Sequence, residues 1–244
     1  MTKVIAVLSG KGGVGKSSCS IGLSFALCEL KKRVLLIDMD EGMRCLDMLL
    51  GLSENLLFDV SDVLAGRNLS ACIMTSEKRP NLSLLAAPGQ KGLVSYEEFG
   101  KFLASSETEN FDFVIIDLPA GVNPELYKEL PKETEFLCVL NPNAVSVRDA
   151  AGIGSALASV GRMGNILINR YETYFIKNPI FKNLDDIMDT TGLGLRGIVP
   201  ESEYLGLAFL DGGFKIKGRA KKAFKRIASR LCGANVSLPK LKKI

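Results

Sequence analysis

The chain has 244 residues, 47% hydrophobic against 24% charged, enough for one substantial α/β domain with a large buried core and too apolar to be disordered. It has no histidine, which removes Ser-His-Asp triads, His-ligated zinc and His general bases together, and its six cysteines lie far apart without a CxxC pair, arguing for reduced thiols rather than a metal or disulfide framework. The net charge of +4 is unevenly spread: residues 215–244 hold eleven Lys/Arg and no acid, which leaves the first 214 at −7 and suggests an anionic partner for the basic end.

In chain order, near-continuous Val/Ile/Leu runs predict strands at Lys3–Ser9, Arg33–Ile37, Leu82–Ala86, Asp112–Asp117, Glu135–Leu140, Asn165–Asn169 and Leu195–Val199. Amphipathic runs between them predict helices at Lys16–Lys32, Tyr96–Ser105, Ser146–Val160, Leu184–Thr190 and Glu201–Leu210. This alternation implies an α/β fold with a single doubly wound, mostly parallel sheet and helices on both faces. Residues 1–233 read as one domain and 234–244 as a short basic tail. No apolar run is long enough to span a bilayer and no signal-peptide pattern opens the chain, so the expected compartment is the cytosol.

The loop after the first strand, Ser9-Gly10-Lys11-Gly12-Gly13-Val14-Gly15-Lys16-Ser17, fits GxxxxGK[ST] between a strand and a helix. Glycines let backbone N–H groups close around phosphate oxygens where Cβ atoms would intrude, and the following helix aims its positive end at the same charge. Gly10, Lys11, Gly12, Gly13, Val14, Gly15, Lys16, Ser17 and Ser18 are therefore the expected phosphate cradle. Lys16 supplies charge to the β/γ phosphates of ATP and Ser17 a hydroxyl to Mg²⁺. Asp38 and Asp40 follow the second strand, where carboxylates face the ligand crevice of an open α/β sheet, and Asp117 ends an apolar strand in the Walker B manner.

The string Lys11-Gly12-Gly13-Val14-Gly15-Lys16-Ser17, with its second lysine, resembles the deviant Walker A signature of the MinD/ParA family of P-loop ATPases. Asp38-Met39-Asp40-Glu41-Gly42-Met43-Arg44-Cys45-Leu46-Asp47 is similar to that family's segment after strand two, closer to its MinD branch than to partition ATPases or iron–sulfur carriers. The resemblance implies an ATPase, and slow intrinsic turnover is expected because the sequence offers no obvious catalytic arginine finger. Lys11 would reach the phosphates of a partner subunit in an ATP-bound homodimer, Asp40 would orient the attacking water, and Asp38, Asp117 and Ser17 would serve the metal. Asn169-Arg170-Tyr171 and Pro200-Glu201 are similar to the family's adenine-facing segments, which puts Asn169, Arg170, Pro200 and Glu201 at the base. Asp149, in a segment similar to another family stretch, would pair with Lys11 when phosphate is absent, or else serve as an ordinary first-turn carboxylate.

The basic end reads as a helix over Lys215–Leu231, with Ile216, Ala220, Ala223, Phe224, Ile227 and Leu231 on one stripe and cations on the rest. Ser237 stands where it could cap a further short helix carrying Leu238, Leu241 and Ile244 on one side. Together with the basic end, the resemblance implies an ATP-driven dimerising switch that controls association with an anionic membrane surface and placement of the division site, with a division-inhibitor or activator protein as partner. The alternatives are a partition ATPase that binds DNA and a flagellar-number regulator of the same branch.

Overall fold

The first strand shows why an unbroken apolar run was needed. In β1 (Lys3–Leu8) Val4, Ala6 and Leu8 enter one hydrophobic core while Ile5 and Val7 enter another, because successive side chains of a strand point to opposite faces. Both faces are covered, so no position in the run tolerates a charge. The structure is a computed structural model that describes residues 2–172, 183–203 and 216–239.

Among the described residues eight strands form one sheet. After β1 come β2 (Val34–Asp38), β3 (Met74–Ser76), β4 (Arg79–Leu85), β5 (Phe113–Asp117), β6 (Glu135–Leu140), β7 (Gly164–Tyr171) and β8 (Gly194–Pro200), in the spatial order β3-β4-β2-β5-β1-β6-β7-β8. Every pairing is parallel except β3 with β4. Helices among the described residues are α1 (Lys16–Glu29), α2 (Leu46–Leu50), α3 (Val60–Leu64), α4 (Leu69–Cys72), α5 (Tyr96–Leu103), α6 (Pro124–Glu129), α7 (Ala144–Ser159), α8 (Leu184–Thr191) and α9 (Gly218–Leu231). The order of β1 and β5 at the sheet centre, with crossovers to either side, opens a crevice at their carboxyl ends.

All seven expected strands are present, and the mostly parallel doubly wound sheet is as expected. The eighth, β3, is an antiparallel edge strand of three residues, too short to carry an alternation. Its hairpin also draws Arg79 into β4, which therefore starts before the expected Leu82. The helix expected to Lys32 ends at Glu29, with Lys31 at a left-handed φ of 62° just beyond it. That expected from Ser146 starts at Ala144, because Asn143 accepts a hydrogen bond from Ser146 N and caps it. Most of the helix expected over Glu201–Leu210 lies outside the described residues.

Helix α9 buries the expected stripe of Ala220, Ala223, Phe224, Ile227 and Leu231, with Ile216 packed at its edge, but starts at Gly218 rather than Lys215. The Phe224 ring lies so close to Gly22 of α1 that a Cβ there would come within 2.6 Å of it. Arg219, Lys221, Lys222 and Lys225 stay exposed, and Lys221 pairs with Glu29. Residues 234–239 carry no helix, so the segment capped by Ser237 is not helical as far as it is described; its end, 240–244, lies outside. Arg230 instead holds the tail, donating from Nε to Val236 O at 2.6 Å and from Nη1 to Arg196 O at 2.7 Å.

Candidate nucleotide site

The loop between β1 and α1 turns on glycines. Gly13 and Gly15 have φ of 81° and 90°, where a Cβ would be strained. At Gly15 a Cβ would also stand 2.3 Å from Asn169 Nδ2, which itself donates to Val14 O at 2.9 Å. The far end of the chain thus grips the loop through a side-chain amide. Gly10 lies against the backbone of Asp149, 2.6 Å from a built Cβ to the carbonyl oxygen, so α7 supports the loop's other end.

At the first turn of α1 the chemistry converges on Asp117, which is fully buried. Lys16 Nζ sits 3.0 Å from Asp117 Oδ1. Ser17 Oγ donates to Oδ2 at 2.6 Å and Ser20 Oγ to Oδ1 at 2.7 Å. Although close enough to be an ion pair, Lys16 Nζ makes no hydrogen bond of acceptable alignment and is itself buried. Contact distance and directional satisfaction disagree here, and the geometry decides the matter: the charge is balanced while the ammonium protons still lack acceptors. Phosphate oxygens are the acceptors such a group fits. Ser17, with its proton committed to Asp117, keeps oxygen lone pairs free for a cation.

Asp38 and Asp117 are register partners across β2 and β5, which brings two carboxylates together from positions far apart in sequence. Asp38 Oδ1 accepts from Asp40 N at 2.9 Å, and Oδ2 from Cys45 N and Leu46 N at 3.1 and 3.2 Å. Burial first, and then the charge of Asp117, push the Asp38 carboxyl up to about 6, while its three backbone hydrogen bonds pull the other way. The sign follows from the raised folded value. The folded chain holds the proton more tightly, so stability from this group is lost as pH rises from about 4 to about 6, and the charged form is a net cost above that. Asp38→Asn should therefore gain on the wild type, in urea melts without nucleotide, as pH goes from 4 to 7, by up to about 3 kcal/mol. A constant difference across that range would refute it.

The crevice above the loop has a volume of about 290 Å³. Gly12, Gly13, Gly15, Lys16, Ser17, Ser18, Asp40, Asn169, Arg170, Pro200 and Glu201 line it, with Ser9, Cys45, Leu49 and Ala120. Most expected site residues thus share one cavity. Asn169 and Arg170 sit where the β7–β8 register shifts, and Arg170 adopts a left-handed φ of 53°, an uncommon conformation for a non-glycine residue. Arg170 Nε lies 3.9 Å from Glu201 Oε2, both exposed, a contact of little energetic weight.

The expected Lys11–Asp149 pair does not form. Lys11 has no ion pair among the described residues, and Asp149 lies 3.5 Å from Arg148, its own neighbour on α7. Sequence reasoning also missed Ser20. Its spacing of three from Ser17 on a helix puts both hydroxyls on one face, a signal that was available. Cys45 was missed as a lining residue; burial pushes its thiol up to about 11, so it is a packing group rather than a nucleophile.

The groups present suit Mg²⁺: one hydroxyl on a phosphate cradle, with buried carboxylates behind it. No cluster of three or more His, Cys, Asp or Glu capable of holding a metal alone occurs among the described residues. Mg²⁺ keeps waters and shares substrate phosphates, so it needs no such cage.

A strand–loop–helix cradle, a buried lysine without acceptors and a carboxylate on the adjacent parallel strand define a P-loop NTPase. Residues 1–162 match the ParA family model, described as NUBPL iron-transfer P-loop NTPase. The septum site-determining protein MinD of Helicobacter pylori is 32% identical over 254 residues, covering 99% of this chain and 95% of its own length. Among solved structures, the MinC:MinD cell division protein complex of Aquifex aeolicus has a TM-score of 0.86 and 31% identity, over 98% of this chain and 99% of that one. The MinD of Pyrococcus horikoshii complexed with Mg-ADP has a TM-score of 0.79 and 25% identity, over 97% of this chain and all of that one.

The chain belongs to the ParA family of P-loop NTPases, on the branch of the septum site-determining MinD proteins. It is an ATPase that works with ATP and Mg²⁺. The six cysteines are free and scattered, and no thiol cluster that could hold a metal occurs among the described residues. Plasmid partition proteins are similar at 20% identity or less, which supports the shared fold alone. Among the described residues no helix is long and apolar enough to cross a membrane.

Proposed function

We propose that ATP joins two copies of this chain across their nucleotide crevices and that hydrolysis separates them, so that the bound nucleotide governs attachment to an anionic membrane surface. The observation that carries this reading is the contrast between the two loop lysines. Lys16 is buried beside Asp117, whereas Lys11 is part-exposed with no ion pair among the described residues. Lys16 acts on the phosphates of its own subunit and Lys11 on those of the other.

In this reading the backbone of Gly10, Gly12, Gly13, Val14 and Gly15, with Ser18, wraps the phosphates. Ser17 would hold the metal with its hydroxyl, and Asp38 and Asp117 would stand behind it. Mg²⁺ held there would supply positive charge against the phosphates. Asp40, lining the crevice, accepts a hydrogen bond from the attacking water and directs it in line. Asn169, Arg170, Pro200 and Glu201 hold the base.

Residues 1–233 form the ATPase domain in this scheme and 234–244 the membrane-contacting tail. Leu238, Leu241 and Ile244 would contribute about 1.5–3 kcal/mol each if fully buried, and Lys240, Lys242 and Lys243 about 1 kcal/mol each near anionic lipid. Incomplete insertion and the ordering of a short tail offset much of that, so one tail binds weakly and two bind by avidity. The relative solved as a MinC:MinD complex points to a division-inhibitor protein as a further partner.

The test is sedimentation of the full chain with anionic vesicles and, separately, with non-specific DNA, each in ATP and in ADP. ATP-dependent pelleting with vesicles, lost when Ala234–Ile244 is deleted, is the expected result. Pelleting unchanged by the deletion would transfer the contact to the basic face of α9. ATP-dependent pelleting with DNA alone would favour the partition reading.

A further inference from the structure

Asp40 lies two residues past the end of β2 and opens a turn, so something must hold that turn. Its backbone N–H is held by Asp38, and its carbonyl accepts from Met43 N at 3.2 Å, closing a four-residue turn with Gly42 at a φ of 76°. The residue between them, Glu41, was not among the residues expected in the site. Its carboxylate accepts three backbone hydrogen bonds from the loop joining β4 to α5: Gly92 N at 3.1 Å to Oε2, and Leu93 N and Val94 N at 3.0 and 2.9 Å to Oε1. Gly92 has a φ of 81°, and successive amides beside such a residue form a concave anion cup. Gly42 N adds a fourth tie to the same loop, donating to Pro88 O at 3.0 Å.

We infer that Glu41 is a positioning residue for hydrolysis: its carboxylate, clasped by the amides of Gly92, Leu93 and Val94, fixes the turn that carries Asp40. The inference rests on the proposed role of Asp40 in directing water. The geometry supports it in a second way. Asp40 lines both the nucleotide crevice and an adjoining cavity of about 300 Å³, whose walls include Glu41, Lys91 and Val94. With space on both sides, the Asp40 side chain is not wedged by packing, and its placement depends on its backbone. Three charge-assisted hydrogen bonds on one carboxylate, one of them part-buried, add to the tie made by Gly42 N and fix the turn at three further points. Because positioning of the attacking group dominates phosphoryl transfer, loss of the clasp acts on turnover and leaves the phosphate cradle intact.

The experiment compares Glu41→Ala, Glu41→Gln and Asp40→Ala with the wild-type full chain. It measures single-turnover hydrolysis at saturating ATP and Mg²⁺, ADP affinity, and amide hydrogen exchange at Gly92–Val94. Glutamine keeps an acceptor oxygen for Leu93 and Val94 but sets an NH₂ against Gly92 N, so it should fall between alanine and wild type. Glu41→Ala should lose about tenfold to a hundredfold in turnover, with ADP affinity changed by less than about twofold and faster exchange at the three amides. If alanine proves too unstable to purify, the glutamine variant carries the same test. Turnover within about twofold of wild type in Glu41→Ala, beside an inactive Asp40→Ala, overturns the role of Glu41 alone. So does ADP affinity that falls in step with turnover, the mark of a merely structural residue. Full activity in Asp40→Ala overturns the parent reading, and with it this one.

Discussion

Replacing Lys16 by alanine should remove nucleotide binding. The ammonium is buried, 3.0 Å from Asp117 Oδ1, and makes no aligned hydrogen bond within the protein. In the bound state the partner is phosphate, and truncating one member of such a buried, hydrogen-bonded charge pair costs about 2–5 kcal/mol, with each 1.4 kcal/mol tenfold in affinity. Binding should therefore weaken by a factor of about 30 to a few thousand. The substitution also strands Asp117, which would keep only the hydroxyls of Ser17 and Ser20, so some loss of stability is expected alongside. Lys16→Met keeps the aliphatic stem in its place and separates the two effects. Titration calorimetry with ATP and ADP, paired with thermal melts lacking nucleotide, reads both. Micromolar affinity retained in a folded Lys16 variant would refute the assignment of the loop.

Asp40→Ala should have the opposite character, with binding kept and release lost. Asp40 lines the crevice without belonging to the group around Asp117, and its own backbone N–H is tied to Asp38. Removing its carboxylate leaves the cradle, Lys16 and Ser17 undisturbed. General acid–base assistance contributes about 10² to 10⁴ in rate, so turnover should fall by that order. ATP then outlives the measurement, and light scattering with ATP and Mg²⁺ should report twice the chain mass, against a single chain in ADP. A monomer in ATP would count against the switch, and wild-type turnover against the role of Asp40. Lys11→Ala in the Asp40→Ala background supplies the internal check, since a lysine lent across the interface should return that assembly to monomer.

What was readable in advance was whatever chemistry is contiguous. A phosphate cradle is built by neighbouring backbone amides, so its glycines, Lys16 and Ser17 must lie in one short string, and that string can be recognised without knowing where the rest of the chain goes. The central strands were readable for a similar reason: covered on both faces, they admit only apolar residues along their whole length. Short elements were not. Helices α2, α3, α4 and α6 have four to six residues each, less than two turns, and so show no period to detect.

Sequence alone thus determined the fold class, the phosphate loop and the family resemblance, because each is written in local order. Only the tertiary structure decided which distant groups meet. Burial at the end of β2, and then the charge of Asp117 set beside it by the pairing of β2 with β5, raised the proton affinity of Asp38. The end of β7 returned Asn169 to Val14, while α7 offered Asp149 as a backbone wall for Gly10 and not as a partner for Lys11. The clasp of Glu41 by amides some fifty residues away likewise exists only once β4 and its following loop lie beside β2. Contacts of this kind follow from sheet order and packing, and no single string of residues records them.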